Sequence, residues 1–278
     1  YCHFVDIVQF VAFFKQGLEK SYREVRNMSE EPKVKSLYKA LKILESFLYG
    51  DAYKGVSDIA KEMGYPKSTV SNILTTYQML GFLEMEKRSG KYKLGPKALE
   101  LSNRTYQTND ILKTVQPYIH EIAEFTNEEV LLATRQKNDV VYIGMDCIRG
   151  GSVRRFVIGA RAPLYCTGIG KAILFSDSDD EIKKLFEGDL IKYTENTITD
   201  YQTFLKHLNE QRSRGFSIDN MEHEYGIRCV AVPLRNQDGE IIAGLSVSGP
   251  SLRMPDDVLY KYGNRLMEVS NKLSYLLL

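Results

Sequence analysis

The apolar positions of this chain change period twice, and each change sets off a block of structure. From Val34 to Tyr49, Leu37, Ala40, Leu41, Leu44 and Leu48 recur at helical spacing, and Gly50-Asp51 ends the run. Val56, Ile59, Ala60 and Met63 repeat at i, i+3, i+4 and i+7, predicting a second helix broken by Gly64. Pro66 opens a third, in which Val70, Ile73, Leu74, Tyr77 and Leu80 form the apolar face. GFLEMEKRSGKYKLG then alternates apolar and polar around Ser89-Gly90, the pattern of a β-hairpin. Three helices followed by a hairpin are the order of a winged helix-turn-helix.

Past the hairpin, Pro96-Lys97 opens a helix through Ser102. A polar run then leads to another from Ile111 to Phe125, with Ile111, Val115, Tyr118, Ile119 and Ile122 in line. From Glu129 the class changes. VLLATR, VVYIGMDC and SVRRFVIG are β-rich, with turns at Asn138-Asp139 and Gly150-Gly151. Helices are expected from Gly168 to Phe175, from Asp179 to Phe186 behind Ser178, and from Tyr201 to Arg214 between Asp200 and Gly215. Strands at Ile227–Leu234 and Glu240–Gly249 follow, and a helix from Asp256 closes the chain. The predicted class is α+β: a winged helix-turn-helix, then an effector-type domain with one curved, mainly antiparallel sheet. The expected division is an N-terminal extension (1–32), a DNA-binding head (33–95), a linker helix (96–110) and an effector domain (111–278). In the extension Phe4, Ile7, Val8, Val11, Phe14 and Leu18 have helical spacing. Two readings stay open there: a helix covered by a partner subunit, or residues upstream of a natural start at Met28.

Charge sharpens the picture of the head. The polar ridge of the third helix is Ser68, Ser71, Asn72 and Thr75, all short and uncharged, with Thr69 beside them and Lys67 at its start. A solvated helix usually carries long Glu/Lys pairs there, whereas a helix in a major groove needs small hydrogen-bonding groups near base edges. Lys87, Arg88, Lys91 and Lys93 surround the hairpin tip, placing Arg88 and Lys91 to clamp phosphate. Between Lys33 and Arg104 there are 13 Lys+Arg against 7 Asp+Glu, while the whole chain carries only +1. Basicity therefore concentrates on the head.

The remaining chemistry lies in the second domain. Thr167-Gly168-Ile169-Gly170-Lys171 starts a helix at which a ligand, most simply a carboxylate, approaches backbone N–H groups. In IIAGLSVSG, Ser246 and Ser248 share the face of Gly244, opposite Leu245 and Val247, and Cys229 stands on the preceding strand. Such groups need partners from a loop or a ligand. Cys166, Cys229 and several serines are potential nucleophiles, with His120, His207 and His223 as potential bases, but no motif joins any pair. A thiol-based sensor using Cys166 or Cys229 with His223 is the rival reading. The acidic stretch Asp219–Glu224 reads as a solvated loop. Four scattered cysteines fit a reducing compartment, 43% hydrophobic content supplies a core, and no span or leader is read. No enzyme activity, metal or cofactor is expected, and the expected location is cytoplasmic.

The motifs VKSLYKALKILE, GYPKSTVSNIL, GKYKLGPKALEL, PLYCTGIGKAIL, YTENTITD, RGFSIDNMEHEYGIRCVAVPL and GEIIAGLSVSGP occur in order between Val34 and Leu276. In them the chain resembles the IclR (isocitrate lyase regulator) family of bacterial transcriptional regulators. The resemblance implies a winged-helix head, a GAF-like effector domain, homodimers or tetramers, operator DNA as partner, and control of carbon-source operons, as repressor or activator. It implies small organic acids or aromatic compounds as effectors. It also implies that the effector touches Gly168, Ile169, Asp219, Cys229, Ser246 and Ser248. Cys166 and the apolar N-terminus depart from the family pattern.

Overall fold

The computed structural model describes residues 32–148 and 158–277; the apolar N-terminal segment and most of SVRRFVIG lie outside them. The chain divides into two compact units between Thr108 and Asn109.

In the first unit, α1 (Lys35–Glu45) passes into a 3₁₀ turn (Ser46–Leu48), and α2 (Val56–Met63) and α3 (Lys67–Met79) follow. Gly64, left-handed at φ 70°, ends α2, and Pro66 is the N-cap of α3 rather than its first residue. Ile43, Phe47, Ile59, Val70, Leu74, Leu83 and Tyr92 form the buried core. The face of α1 turned inward is therefore that of Ile43 and Phe47, one step round from the predicted stripe. Leu37, Leu41 and Leu48 stay 55%, 48% and 62% exposed. Leu80, expected in the core, caps α3 and is 60% exposed. A two-turn corner this small has one inward face per helix, and Ile43 and Phe47 fill it.

The hairpin β1 (Leu83–Met85) and β2 (Tyr92–Leu94) pairs Leu83 with Leu94 and Met85 with Tyr92. Lys54 bridges onto Tyr92 through two backbone hydrogen bonds of 2.9 Å, tying the hairpin to the start of α2. α4 (Lys97–Thr108) runs straight through the polar stretch that sequence reading set apart, and none of its residues is buried.

The second unit is built on a six-stranded sheet in the order β5-β4-β3-β8-β7-β6, every neighbouring pair antiparallel. The strands are β3 (Glu129–Gln136), β4 (Asp139–Asp146), β5 (Arg161–Pro163), β6 (Ser217–Asn220), β7 (Ile227–Arg235) and β8 (Ile241–Pro250). Both faces are covered, so the central strands read as continuous apolar runs. Val130, Leu132, Val230, Leu245 and Val247 face α5 (Asp110–Thr126) and α9 (Asp256–Leu273), meeting Val115, Ile119, Leu266 and Val269. Leu131, Ala133, Tyr142 and Ala231 face the other way, against α6 (Gly168–Ile173), α7 (Asp179–Leu185) and α8 (Tyr201–Arg214). Side-chain alternation along each strand makes these two separate cores. The caps fall as the sequence implies: Ser178 in a capping box, Asp200 accepting from Thr203 N at 2.8 Å, Gly215 left-handed. The edge strands β5 and β6 escaped sequence reading, being three and four residues long, and β6 is largely polar.

Candidate DNA-binding and effector sites

On α3, Lys67, Ser68, Asn72 and Thr75 are exposed, and Thr69 and Ser71 are half-buried. The helix carries no side-chain cap, leaving the N–H groups of its first turn open beside Lys67. The Thr75 hydroxyl donates to Ser71 O at 2.9 Å, and Thr76 to Asn72 O at 2.8 Å. Thr75 therefore offers a groove its methyl group and an acceptor, while the Asn72 side chain stands exposed with both donor and acceptor. In the hairpin turn Glu86 accepts from Ser89 Oγ at 2.5 Å, and Gly90 is left-handed. Lys87, Arg88 and Lys91 are exposed at this tip. Lys93 is drawn instead to Glu84 at 3.3 Å, and that hydrogen bond raises its pKa.

In the second unit, α6 lies across the pocket face of the sheet. A Cβ on Gly244 would come within 2.7 Å of Ile169 Cγ1, and one on Gly170 would collide with the Leu164 carbonyl. The two glycines thus set how closely α6 approaches β8 and its own entry loop. At the head of α6 opens a recess of about 340 Å³, its mouth included. Gly168, Ile169, Asp219, Cys229 and Ser246 line it, together with Leu131, Tyr142, Thr167, His223, Glu224 and Ile227. Ser248 is not among the lining residues. It is fully buried and accepts a hydrogen bond from Cys229 Sγ at 3.1 Å, across the register pair Cys229–Ser248.

Sequence reasoning placed Asp219–Glu224 in a solvated loop, yet Asp219 is 3% exposed. Strand β6 carries it opposite Cys229. Its Oδ1 accepts from Glu222 N at 2.7 Å, and its carboxyl also accepts from His223 N. Burial first, and the Glu222 carboxylate second, push the Asp219 pKa up. Behind it Lys171, fully buried, donates to Ile218 O at 2.6 Å and to Glu222 Oε1. The segment holding His223 is pinned by Thr194 Oγ1 on Met221 O (2.6 Å) and Thr197 Oγ1 on Glu222 O (2.6 Å), and the His223 ring packs on Tyr193. Burial holds the His223 imidazole down to about 4. Tyr142 and Leu131 fall in the runs read as β-rich, but only the pairing of β3 with β4 and β8 brings them to this recess.

The thiol of Cys166 is fully buried in the α6–α8 core, and burial pushes its pKa well up, which disfavours the thiolate a redox sensor needs. Among the described residues no His/Cys/Asp/Glu group is arranged to hold a metal, and no helix is long and apolar enough to cross a membrane.

A winged helix-turn-helix joined in one chain to a recessed α+β domain defines a ligand-responsive class of transcriptional regulator. The model of the IclR helix-turn-helix domain matches residues 36–86, and that of the bacterial transcriptional regulator IclR C-terminal domain matches residues 103–275. The chain belongs to the IclR family. It is 35% identical to the HTH-type transcriptional regulator KdgR of Escherichia coli (strain K12), over 87% of this chain and 92% of that one. It is 29% identical to the transcriptional repressor IclR of the same organism, over 87% and 89%. The crystal structure of an IclR transcriptional regulator from Alicyclobacillus acidocaldarius superposes with a TM-score of 0.78 at 27% identity, covering 87% of this chain and 98% of that one. The relatives are named regulators, not enzymes, and the chain is a transcriptional regulator with a DNA-binding head and an effector domain.

Proposed function

We propose that this regulator represses a catabolic operon in the cytoplasm and is released, or redirected, by a small organic acid or aromatic compound bound in the recess at the head of α6. Residues 33–95 serve as the head, 96–110 as the linker and 111–278 as the effector domain. The observation that carries the DNA half is the bare ridge of α3: Ser68, Asn72 and Thr75 exposed with no long charged side chain among them. In this reading Lys67, Ser68, Thr69, Ser71, Asn72 and Thr75 meet the major groove, and Arg88 and Lys91 hold flanking phosphates. The effector contacts Gly168, Ile169, Asp219, Cys229 and Ser246, with Ser248 fixing the Cys229 thiol from behind. The protein acts as a homodimer or tetramer, supported by the apolar stripe of Val34, Leu37, Leu41 and Leu48 left exposed along α1 and its two ends. A two-fold dimer reads half-sites about 10 bp apart, or a multiple of that. Effector binding acts by favouring one spacing of the heads over another.

The test is binding to the DNA upstream of its own gene. Fluorescence anisotropy across a salt series is expected to show preference over random duplex, with affinity falling steeply as salt rises. Equal, salt-insensitive affinity for both duplexes would refute the reading.

A further inference from the structure

We propose that this recess takes up its effector together with a proton held on Asp219, so that the regulator responds to pH as well as to ligand. This rests on the regulator reading above and adds a mode of control to the same recess.

At the wall of the recess Lys171, Asp219 and Glu222 are packed away from water, all three buried. Two of them are acids and one is a base. The Lys171 ammonium donates to Glu222 Oε1 and to the Ile218 carbonyl at 2.6 Å, so lysine and glutamate form a buried ion pair. Asp219 is then the surplus acid. A buried carboxyl that lacks a cation of its own is far more stable with its proton on. Two backbone N–H groups, of Glu222 at 2.7 Å and of His223, bond to the Asp219 carboxyl and favour its ionised form, as does Lys171. Burial and the Glu222 charge outweigh them, and the net direction is upward.

The groups around Asp219 leave that balance unchanged. In the loop after β6, Glu222 adds a negative charge, and His223 is neutral because burial holds it down to about 4. Opposite in register on β7, Cys229 donates its thiol proton to Ser248. On β4 the Tyr142 phenol keeps its proton, since burial drives its pKa well up. The first residue of α6 is Gly168, where a Cβ would stand 3.6 Å from that of Asp219, and the Cys166 thiol just before it is also pushed well up by burial. Glu224, which lines the recess too, is a further acid, and no Lys or Arg is among the described lining residues.

Because Asp219 lines the recess, its proton meets the ligand. As an acid it donates O–H to an incoming carboxylate, whereas as a carboxylate it repels one. An organic anion therefore selects the protonated form and, by linkage, tightens the hold on that proton. Above the pH at which the free protein gives the proton up, binding has to draw one from solvent, and affinity falls about tenfold per pH unit.

Infrared difference spectroscopy on the full chain reads the proton with neither ligand nor DNA present. The wild type is expected to show the C=O band of a protonated carboxyl at neutral pH, lost in Asp219→Asn. Glu222→Gln frees Lys171 to serve Asp219, so the band should disappear at lower pH than in the wild type, which assigns it even where Asp219→Asn fails to fold. Calorimetry with acetate and benzoate as probes then runs from about pH 6 to about pH 9, in buffers of different ionisation enthalpy. At least one of the two is expected to bind with net proton uptake that rises toward one on the alkaline side. A band unaltered in Asp219→Asn, a midpoint unmoved in Glu222→Gln, binding without proton uptake, or binding of neither probe would each overturn the proposal. Such a failure leaves the regulator reading standing, because that reading is refuted separately, by the absence of salt-sensitive operator binding.

Discussion

Replacing Lys171 with Met tests how the pocket wall is held together. Lys171 and Glu222 are 0% and 2% exposed, and each is the other's charge partner. Glu222 Oε2 already lies buried with no hydrogen-bond partner among the described residues, so the lysine is what keeps the carboxylate in place. Removing it strands a buried charge, which costs about 3–5 kcal/mol. For a unit the size of residues 109–278, each kcal/mol is worth roughly 2–4 °C, so a fall of about 6–20 °C is expected. Lys171→Met/Glu222→Leu removes both charges and exchanges them for apolar volume. Its remaining debt is chiefly the unpaired Ile218 carbonyl, which places it within about 2 kcal/mol of the parent. The chain has no tryptophan, so urea unfolding is followed by circular dichroism, reading the transition of the second unit. A single variant within about 1 kcal/mol of the parent would refute the reasoning. So would a double variant whose loss equals the sum of the two single losses, since the charges would then not be acting as a pair.

Other outcomes follow from the same structure. Asn72→Ala is expected to cost about 1–3 kcal/mol at one base position, whereas Arg88→Ala should weaken all duplexes alike and lower the salt slope by about one; competition binding on substituted sites separates them. Gly170→Ala drives a methyl group into the Leu164 carbonyl and should cost stability and effector response, while Gly188→Ala meets nothing within 4 Å and should be neutral in the same melts. His223 and His207 are both held down to about 4 by burial, so the folded state resists protonation that the unfolded chain accepts from about pH 6.5 downward. Stability is thus full above pH 6.5 and declines as pH falls through 6.5 toward 4, by roughly 1–3 kcal/mol for His223 and by less for the partly exposed, solvent-screened His207; denaturant midpoints across that range in His223→Asn should show a shallower decline.

The chain announced its elements more readily than its contacts. Long periodic helices such as α5, α8 and α9 were legible because caps and apolar stripes agree, and the Ser246/Leu245 alternation correctly separated pocket face from packing face. What failed was local burial where several apolar faces compete. On α1, Leu37 and Leu41 have the spacing of a core stripe, but Ile43 and Phe47 take the inward positions. The wall of the recess was half legible for a different reason. Gly168, Cys229 and Ser246 stood out as small or weakly polar groups among apolar ones. Asp219 was hidden in a strand too short and polar to read, and Tyr142 and Leu131 depended on register, which only long-range pairing determines.

The sheet of the second unit is buried on both sides, yet its two faces do unlike jobs. One side is greasy ballast under α5 and α9, and the other presents Tyr142, Asp219, Cys229 and Ser246 to the recess. Because neighbouring residues on β8 belong to opposite sides, Ser246 can be exchanged at the recess wall while Leu245 and Val247 go on bearing weight in the other core. A lineage built this way is free to remodel the recess one side chain at a time without remaking its frame.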